Sequence, residues 1–212
     1  MQNSQPMKTM IKAVLLLAIS VSARTASGQS TFSQSYFPDL TIPEGNPVGV
    51  ADRGGFDAAP AGGQVADVTI NLFFTGGYNG DLYVALLAPD GTSSVLLDQP
   101  GVGVNGFGAA GAGMNITLSD TATNSIQSET SDLALTGAYQ PAQLLAMFQG
   151  LEANGTWVIY CANLGIGDGP TTLVSWGINI TTVPTPEPAS GELGAVAMLI
   201  MMAVKYRINP KA

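Results

Sequence analysis

The side chains able to do chemistry are few in this chain of 212 residues, which contains no histidine. A serine or cysteine nucleophile needs a neighbouring base to take its proton, and that base is most often a histidine. A serine–lysine pair is excluded as well, because Lys8, Lys12, Lys205 and Lys211 all lie near the two ends of the chain. We therefore expect a protein without catalytic activity.

The remaining reactive groups are one thiol and scattered carboxylates. Cys161 lies in an apolar run at residues 157–161, where a free thiol usually behaves as a small buried hydrophobe. Paired carboxylates can hydrolyse glycosides when a cleft holds them at a fixed separation. No pattern in this sequence places two acids together in that way.

The charge of the chain is concentrated in its body. Between residues 29 and 182 there are 13 acidic residues and one basic residue, Arg53, a net charge of 1 − 13 = −12. The other basic residues lie near the two ends. Such a surface repels phosphate backbones, so nucleic acids are excluded as partners.

The clearest predicted element is a β-hairpin over residues 154–181. Its first arm, residues 157–161, is apolar at every position, as expected of a strand buried on both faces. Its second arm, residues 173–180, alternates, with Val174 and Trp176 on the face that points to a core. Glycines and a proline in residues 163–172 predict a connecting loop.

The hairpin carries a tryptophan on each arm, Trp157 and Trp176. Burial of so large an apolar surface can anchor a domain. We predict that both tryptophans are structural core residues, with stacking on a ligand as the alternative.

Other segments of the body also predict strands. Strands are predicted at residues 64–74, 81–88, 93–97 and 114–118. A proline–glycine turn joins the second of these strands to the third. Residues 141–148 predict a short helical turn that places Leu144, Leu145 and Phe148 on one side. With no sustained helical periodicity elsewhere, the predicted fold is all-β, an antiparallel sandwich or jelly roll.

The N-terminal residues 1–28 are typical of a secretory signal peptide. Lys8 and Lys12 precede a short apolar run, and small residues follow it, with Ala23 and Gly28 as alternative cleavage points. The true start is Met1 or Met7. Residues 29–41 are predicted to be a linker and residues 42–182 the folded domain.

The C-terminal residues 183–212 begin with a stiff, proline-rich linker that contains Pro186, Glu187 and Pro188. An apolar segment at 193–204 follows, and then basic residues. As a helix that segment covers about 18 Å of a hydrocarbon core about 30 Å thick, which makes it a marginal membrane span.

Several motifs occur in a fixed order in the body of the chain: IPEGNP at 42–47, GDL at 80–82 with APDGT at 88–92, YQP at 139–141 with LLAMFQG at 144–150, and NGTW at 154–157 with LVSWGI at 173–178. Together they resemble the P domain, or P/Homo B domain, of proprotein convertases and bacterial subtilisin-like proteases. The resemblance implies a jelly-roll β-sandwich of galactose-binding-like type. It also implies the family's role, which is to stabilise an adjoining catalytic domain, but we expect no such domain before these motifs.

The tail resembles the PEP-CTERM sorting signal, because Pro186, Glu187 and Pro188 precede a short apolar segment and basic residues. The resemblance implies processing by an exosortase. It also implies an exported protein that is transiently anchored in the membrane and then released to the cell surface or the extracellular space.

The P-domain resemblance also bears on whether the chain has ligands for a calcium ion. Family members often carry acidic residues just after the first arm of the closing hairpin, but here Ala162 and Asn163 stand there. Asp81, Asp90 and Asp168 remain as weak calcium candidates, with plain solvent exposure as the alternative. No other cofactor is expected.

Three functions remain open from the sequence. The first is a non-catalytic surface or matrix protein, and the second is an accessory partner of a subtilisin-like serine endopeptidase. The third is a carbohydrate-binding module, with an extracellular polysaccharide as its partner and Tyr78, Tyr139 or an exposed tryptophan as the stacking residue.

Overall fold

The computed structural model describes residues 28–184, which form strands, short turns and one four-residue helix, α1 (Val102–Asn105). Single 3₁₀ turns occupy Asn79–Asp81, Ile126–Ser128 and Leu145–Phe148. No helix within this range is long and apolar enough to cross a membrane. The strands, in chain order, are β1 (Ser30–Tyr36), β2 (Leu40–Ile42), β3 (Val50–Phe56), β4 (Gly63–Tyr78), β5 (Leu82–Leu87), β6 (Ser93–Asp98), β7 (Ala112–Leu118), β8 (Asn124–Ser125), β9 (Leu135–Gln140), β10 (Gly155–Asn163) and β11 (Thr171–Pro184).

The strands form two sheets around one apolar core. The larger sheet has the order β1-β11-β4-β7-β9-β8, with β2 also paired to β11, and the smaller sheet has the order β3-β10-β5-β6. Phe74 and Trp176 of the larger sheet and Trp157 of the smaller sheet belong to the same buried cluster. The predicted all-β sandwich is confirmed.

Most neighbouring strands are antiparallel, as predicted, but β9 is not. It pairs in parallel with β7 and with β8. A parallel pair needs a crossover, because a tight turn can join only antiparallel neighbours. The polar segment at residues 119–132 supplies most of that crossover, and it contains the short strand β8.

Alternation along β4 explains how the larger sheet covers the core. Val68, Ile70, Leu72 and Phe74 are each at most 1 % exposed, as their spacing predicts. The residues between them point away from the core, because successive side chains of a strand lie on opposite faces.

The first strands correct the predicted domain boundary. Residues 29–41, expected to be a linker, contain β1 and part of β2, both paired with β11. Polar residues dominate β1 because only one of its faces touches the core, through Phe32 and Tyr36. The folded unit therefore begins at β1 rather than at residue 42.

The predicted hairpin over residues 154–181 is wrong in one respect. Its arms are strands, but β10 pairs with β3 and β5, whereas β11 pairs with β1, β2 and β4. The loop between them carries the chain from one sheet to the other. Both arms bury apolar residues because each contributes to the same core from opposite sides.

Two local predictions differ from the structure, one in β11 and one near the last 3₁₀ turn. A register shift lies between Leu173 and Ser175, so Leu173 is fully buried and Val174 only half-buried, the reverse of simple alternation. In the 3₁₀ turn Leu145–Phe148, both named residues are buried, but Leu144 precedes the turn and is 56 % exposed.

Candidate functional site

Three acidic residues meet at one end of the sandwich, where the β10–β11 loop packs against two other segments. Asp81 ends the 3₁₀ turn before β5, Asp168 lies in the loop, and Glu44 follows β2. Leu164 N–H donates to the Asp81 carbonyl at 2.8 Å, and Gly45 N–H donates to the Gly165 carbonyl at 2.7 Å. We call Glu44, Asp81 and Asp168 the acidic cluster, and these backbone bonds hold its segments together.

The Asp81 carboxyl group has a pKa raised from 3.8 to about 6. Burial is the largest cause, followed by a hydrogen bond with Asp168 and by the charges of Asp168 and Glu44. Because ionised carboxylates only accept, a bond between Asp81 and Asp168 requires a proton on one of them. Asp81 Oδ2 is buried and receives no hydrogen bond within residues 28–184, an environment that favours the protonated form.

The backbone of the β10–β11 loop closes over this carboxyl group. A Cβ atom at Gly165 would collide with the Asp81 carboxylate, so the loop can approach this closely only with glycine there. On the other side, Glu44 Oε1 accepts hydrogen bonds from the amides of Gly167 and Gly169. The acidic cluster therefore fixes the loop through its own hydrogen bonds.

The acidic cluster does not fit calcium. Calcium takes six to eight oxygen ligands, with carboxylates among them, but Glu44 Oε1 is occupied by loop amides. Asn163 Oδ1 accepts from Gly165 N–H at 3.1 Å and Asn163 Nδ2 donates to Thr171 Oγ1 at 3.3 Å. Across the described part of the chain, no group of three or more His, Cys, Asp or Glu residues could hold a metal ion.

The structure thus brings together two of the three calcium candidates. Asp81 and Asp168 are neighbours, whereas Asp90 lies beyond the far end of the six-residue strand β5. Its carboxylate accepts from Thr92 N–H at 2.9 Å and from Thr92 Oγ1 at 3.0 Å, which stabilises the β5–β6 turn. Glu44 was not among the predicted ligands, and its place in the motif at 42–47 is the one signal that marks it.

The two tryptophans are buried and hydrogen-bonded within the fold. Trp157 is 0 % exposed, donates from Nε1 to the Ala153 carbonyl at 3.0 Å, and meets Phe148 edge-on at 5.2 Å. Trp176 is 1 % exposed and donates from Nε1 to Asp52 Oδ2 at 2.7 Å. Neither ring offers a face to a ligand, so stacking on a ligand is not their role.

The two tyrosines considered for sugar stacking differ in their exposure to solvent. Tyr139 is 8 % exposed, and its hydroxyl group donates to the Thr136 carbonyl at 3.2 Å, whereas Tyr78 is 43 % exposed. No exposed tryptophan exists, since the chain has only the two buried ones. A sugar site built on these aromatic residues therefore has at most Tyr78.

Cys161 is 1 % exposed on β10. Burial raises the pKa of its thiol far above the ordinary value, and the charge of Asp52 adds to the shift. A buried, protonated thiol is a poor nucleophile, so this residue serves the core.

Comparison with known proteins identifies the class to which this fold belongs. A family model described as the proprotein convertase P-domain matches residues 65–180, more than half of the chain. Comparison with curated proteins found no match. The chain belongs to the proprotein convertase P-domain family.

Two solved structures are similar to the chain, both of an Aeromonas sobria serine protease. One is the protease in complex with its chaperone (TM-score 0.49, 15 % identity), and the other is the protease alone (TM-score 0.48, 16 % identity). Each match covers 82 % of this chain and 30 % of the solved chain. The present chain thus spans less than a third of the length of those chains.

Proposed function

We propose that this protein is a non-catalytic, exported P-domain protein that acts as a structural or binding module at the cell surface or in the extracellular matrix. The observation that carries the proposal is a P-domain body in a chain without a single histidine. The close pair of Asp81 and Asp168 supplies no alternative catalyst. The Asp81 carboxyl group is covered by a loop that can close over it only because residue 165 is glycine.

Export is proposed from the two ends, residues 1–27 and 185–212, which lie outside the described residues. The signal-like start and the tail with Pro186, Glu187 and Pro188 support secretion followed by exosortase processing. On this proposal the apolar segment 193–204 anchors the protein only transiently. The exported part then consists of the sandwich and its flanking residues.

Fractionation of the native host tests the export proposal. We expect the chain in the surface or culture fraction, with a C-terminus trimmed near residue 188 by mass spectrometry. Replacement of Pro186, Glu187 and Pro188 by alanine should leave the protein untrimmed and in the membrane fraction. A cytoplasmic location of the intact chain would overturn the proposal.

A second candidate is an accessory role towards a subtilisin-like serine protease. Membership of the convertase P-domain family supports it, because a domain that stabilises a protease within one chain could do so as a separate chain. Mixing the protein with such a protease from the same organism should raise the protease melting temperature. An unchanged melting temperature, with no co-purification, would rule this role out.

A further inference from the structure

The outward face of the larger sheet carries two rows of uncharged side chains, all of them short except Phe73. Pairing across the strands sets Ser35, Gly177, Asn71 and Thr117 side by side in the first row. It sets Ser175, Phe73, Asn115 and Thr136 side by side in the second row. We call these the outer rows. Each crosses four strands, a width of about 14 Å at the usual strand spacing.

Phe73 stands between two clefts on this face. It is 37 % exposed although it lies in the middle of a central strand. A cleft of about 210 Å³ opens on one side, where Asn115 and Thr136 line it together with mainly apolar residues. A smaller one of about 90 Å³, lined by Ser35 and Asn71, opens on the other.

Gly177 forms the floor of the smaller cleft. A Cβ atom there would lie 3.3 Å from Ser35 Oγ and 3.6 Å from Asn71 Nδ2. The absence of a side chain therefore leaves a notch with a hydroxyl group on one side and an amide on the other. Phe37, which is 78 % exposed, lines the same cleft and adds a second aromatic ring.

The polar groups of the outer rows are only partly used within the fold. Thr117 Oγ1 donates to Asn71 Oδ1 at 2.8 Å, which orients the Asn71 amide. Within the described residues, the N–H groups of this amide make no hydrogen bond and can donate to a ligand. Asn115 is exposed, and within residues 28–184 its side chain makes no hydrogen bond. The face thus offers donors and acceptors around an aromatic ring, at fixed positions on a rigid sheet.

Charge and polarity narrow the kind of ligand. Neither outer row contains a charged residue, although the body carries a net charge of 1 − 13 = −12, so polyanions are repelled by the molecule as a whole. An aromatic ring flanked by neutral hydrogen-bonding groups suits a ligand that presents C–H faces and hydroxyl groups together.

We propose that the outer rows bind a neutral, linear polysaccharide that runs across the strands and stacks one sugar ring on Phe73. Asn71 and Asn115 bind its hydroxyl groups on either side. This site goes beyond the proposed surface role and does not depend on it. It also differs from the sugar site expected at Tyr78 and Tyr139.

Native gel electrophoresis of the full-length chain tests the proposal, with hydroxyethyl cellulose, galactomannan or alginate cast into the gel. We expect at least one of the two neutral polymers to retard the protein and alginate, a polyanion, to leave it unretarded. Phe73→Ala and Asn115→Ala should each weaken the association about tenfold or more. Phe107→Ala is the matched control, because Phe107 is 90 % exposed and lies outside the outer rows.

Several results would overturn the proposal. One is the absence of retardation by both neutral polymers, and another is an equal loss of retardation in Phe73→Ala and Phe107→Ala. Retardation by alginate as strong as by a neutral polymer would contradict the argument from charge. A dimer in sedimentation that Phe73→Ala abolishes would assign the face to a second copy of the chain instead.

Discussion

Trp176 on β11 donates its indole N–H to the Asp52 carboxylate on β3, 2.7 Å away, and this bond joins the two sheets of the sandwich. Tyr36 on β1 reinforces the connection, because its ring packs 4.3 Å from the Trp176 ring. Its hydroxyl group donates to the Gly55 carbonyl on β3 at 2.8 Å. Hydrogen bonds as well as apolar packing therefore hold the two sheets together on this side of the core.

Asp52→Ala should destabilise the protein by about 1–3 kcal/mol, because it leaves the buried indole N–H of Trp176 without an acceptor. Urea unfolding of the full-length chain, followed by tryptophan fluorescence, measures this free energy. Asp57→Ala, which removes an exposed acid just after β3, is the matched control and should change little. Equal effects of the two substitutions would show that the Trp176–Asp52 bond contributes nothing specific.

Asp81 should make the stability of the protein depend on pH. Its pKa is about 6 in the folded protein and near 3.8 when exposed, so the folded state holds a proton that the unfolded state has lost between these values. The contribution of Asp81 to stability is therefore greatest below pH 4 and is lost as the pH rises through about 6.

Asp81→Asn tests this dependence, because asparagine keeps the shape of the side chain and stays neutral. Its melting temperature should match that of the wild type near pH 4 and exceed it at pH 7. Asp132→Asn, which neutralises an exposed acid in the β8–β9 connection, should leave the wild-type pH profile intact. The same profile in the wild type and in Asp81→Asn would refute the account of the acidic cluster.

Gly165→Ala should destabilise the protein by about 1–3 kcal/mol, the usual cost of overpacking, because its Cβ atom would collide with the Asp81 carboxylate. Gly103→Ala in α1 is the control, since a Cβ atom there meets no atom from outside its own helix within 4 Å. Thermal unfolding of both variants gives the comparison. A stable Gly165→Ala protein would mean that the loop does not pack on Asp81 as described.

Cys161 should be inert towards thiol reagents in the folded protein, because it is buried and burial raises the pKa of its thiol. A colorimetric disulfide reagent should react with about one thiol per chain in guanidinium chloride and with almost none in buffer. Rapid reaction in buffer would place the cysteine on the surface and contradict the packing of β10.

The sequence predicted the strands whose apolar residues alternate cleanly and missed those dominated by polar or small residues. The run from Val68 to Phe74 identifies β4 because every second residue is apolar. By contrast, β3 contains Arg53, Gly54 and Gly55. Gly54 is required because the Tyr36 ring lies against it, a contact between two sheets that no local pattern reveals.

The candidate sites were harder to predict because their parts are distant in sequence. Asp81 and Asp168 meet only because β5 and β10 are neighbours in the smaller sheet. The outer rows arise from the register of five strands, and each strand alone shows only alternating polar residues. The hairpin prediction failed for the same reason, since alternation identifies a strand but not its partner.

The central claim, a P-domain protein without catalytic activity, is tested most directly by a proteolysis assay. The purified full-length protein is incubated with a fluorescent casein and a library of short peptides, with and without a serine-directed inhibitor. We predict that no substrate is cleaved above the level of a mock purification. Cleavage that grows with protein concentration and that the inhibitor abolishes would contradict the account.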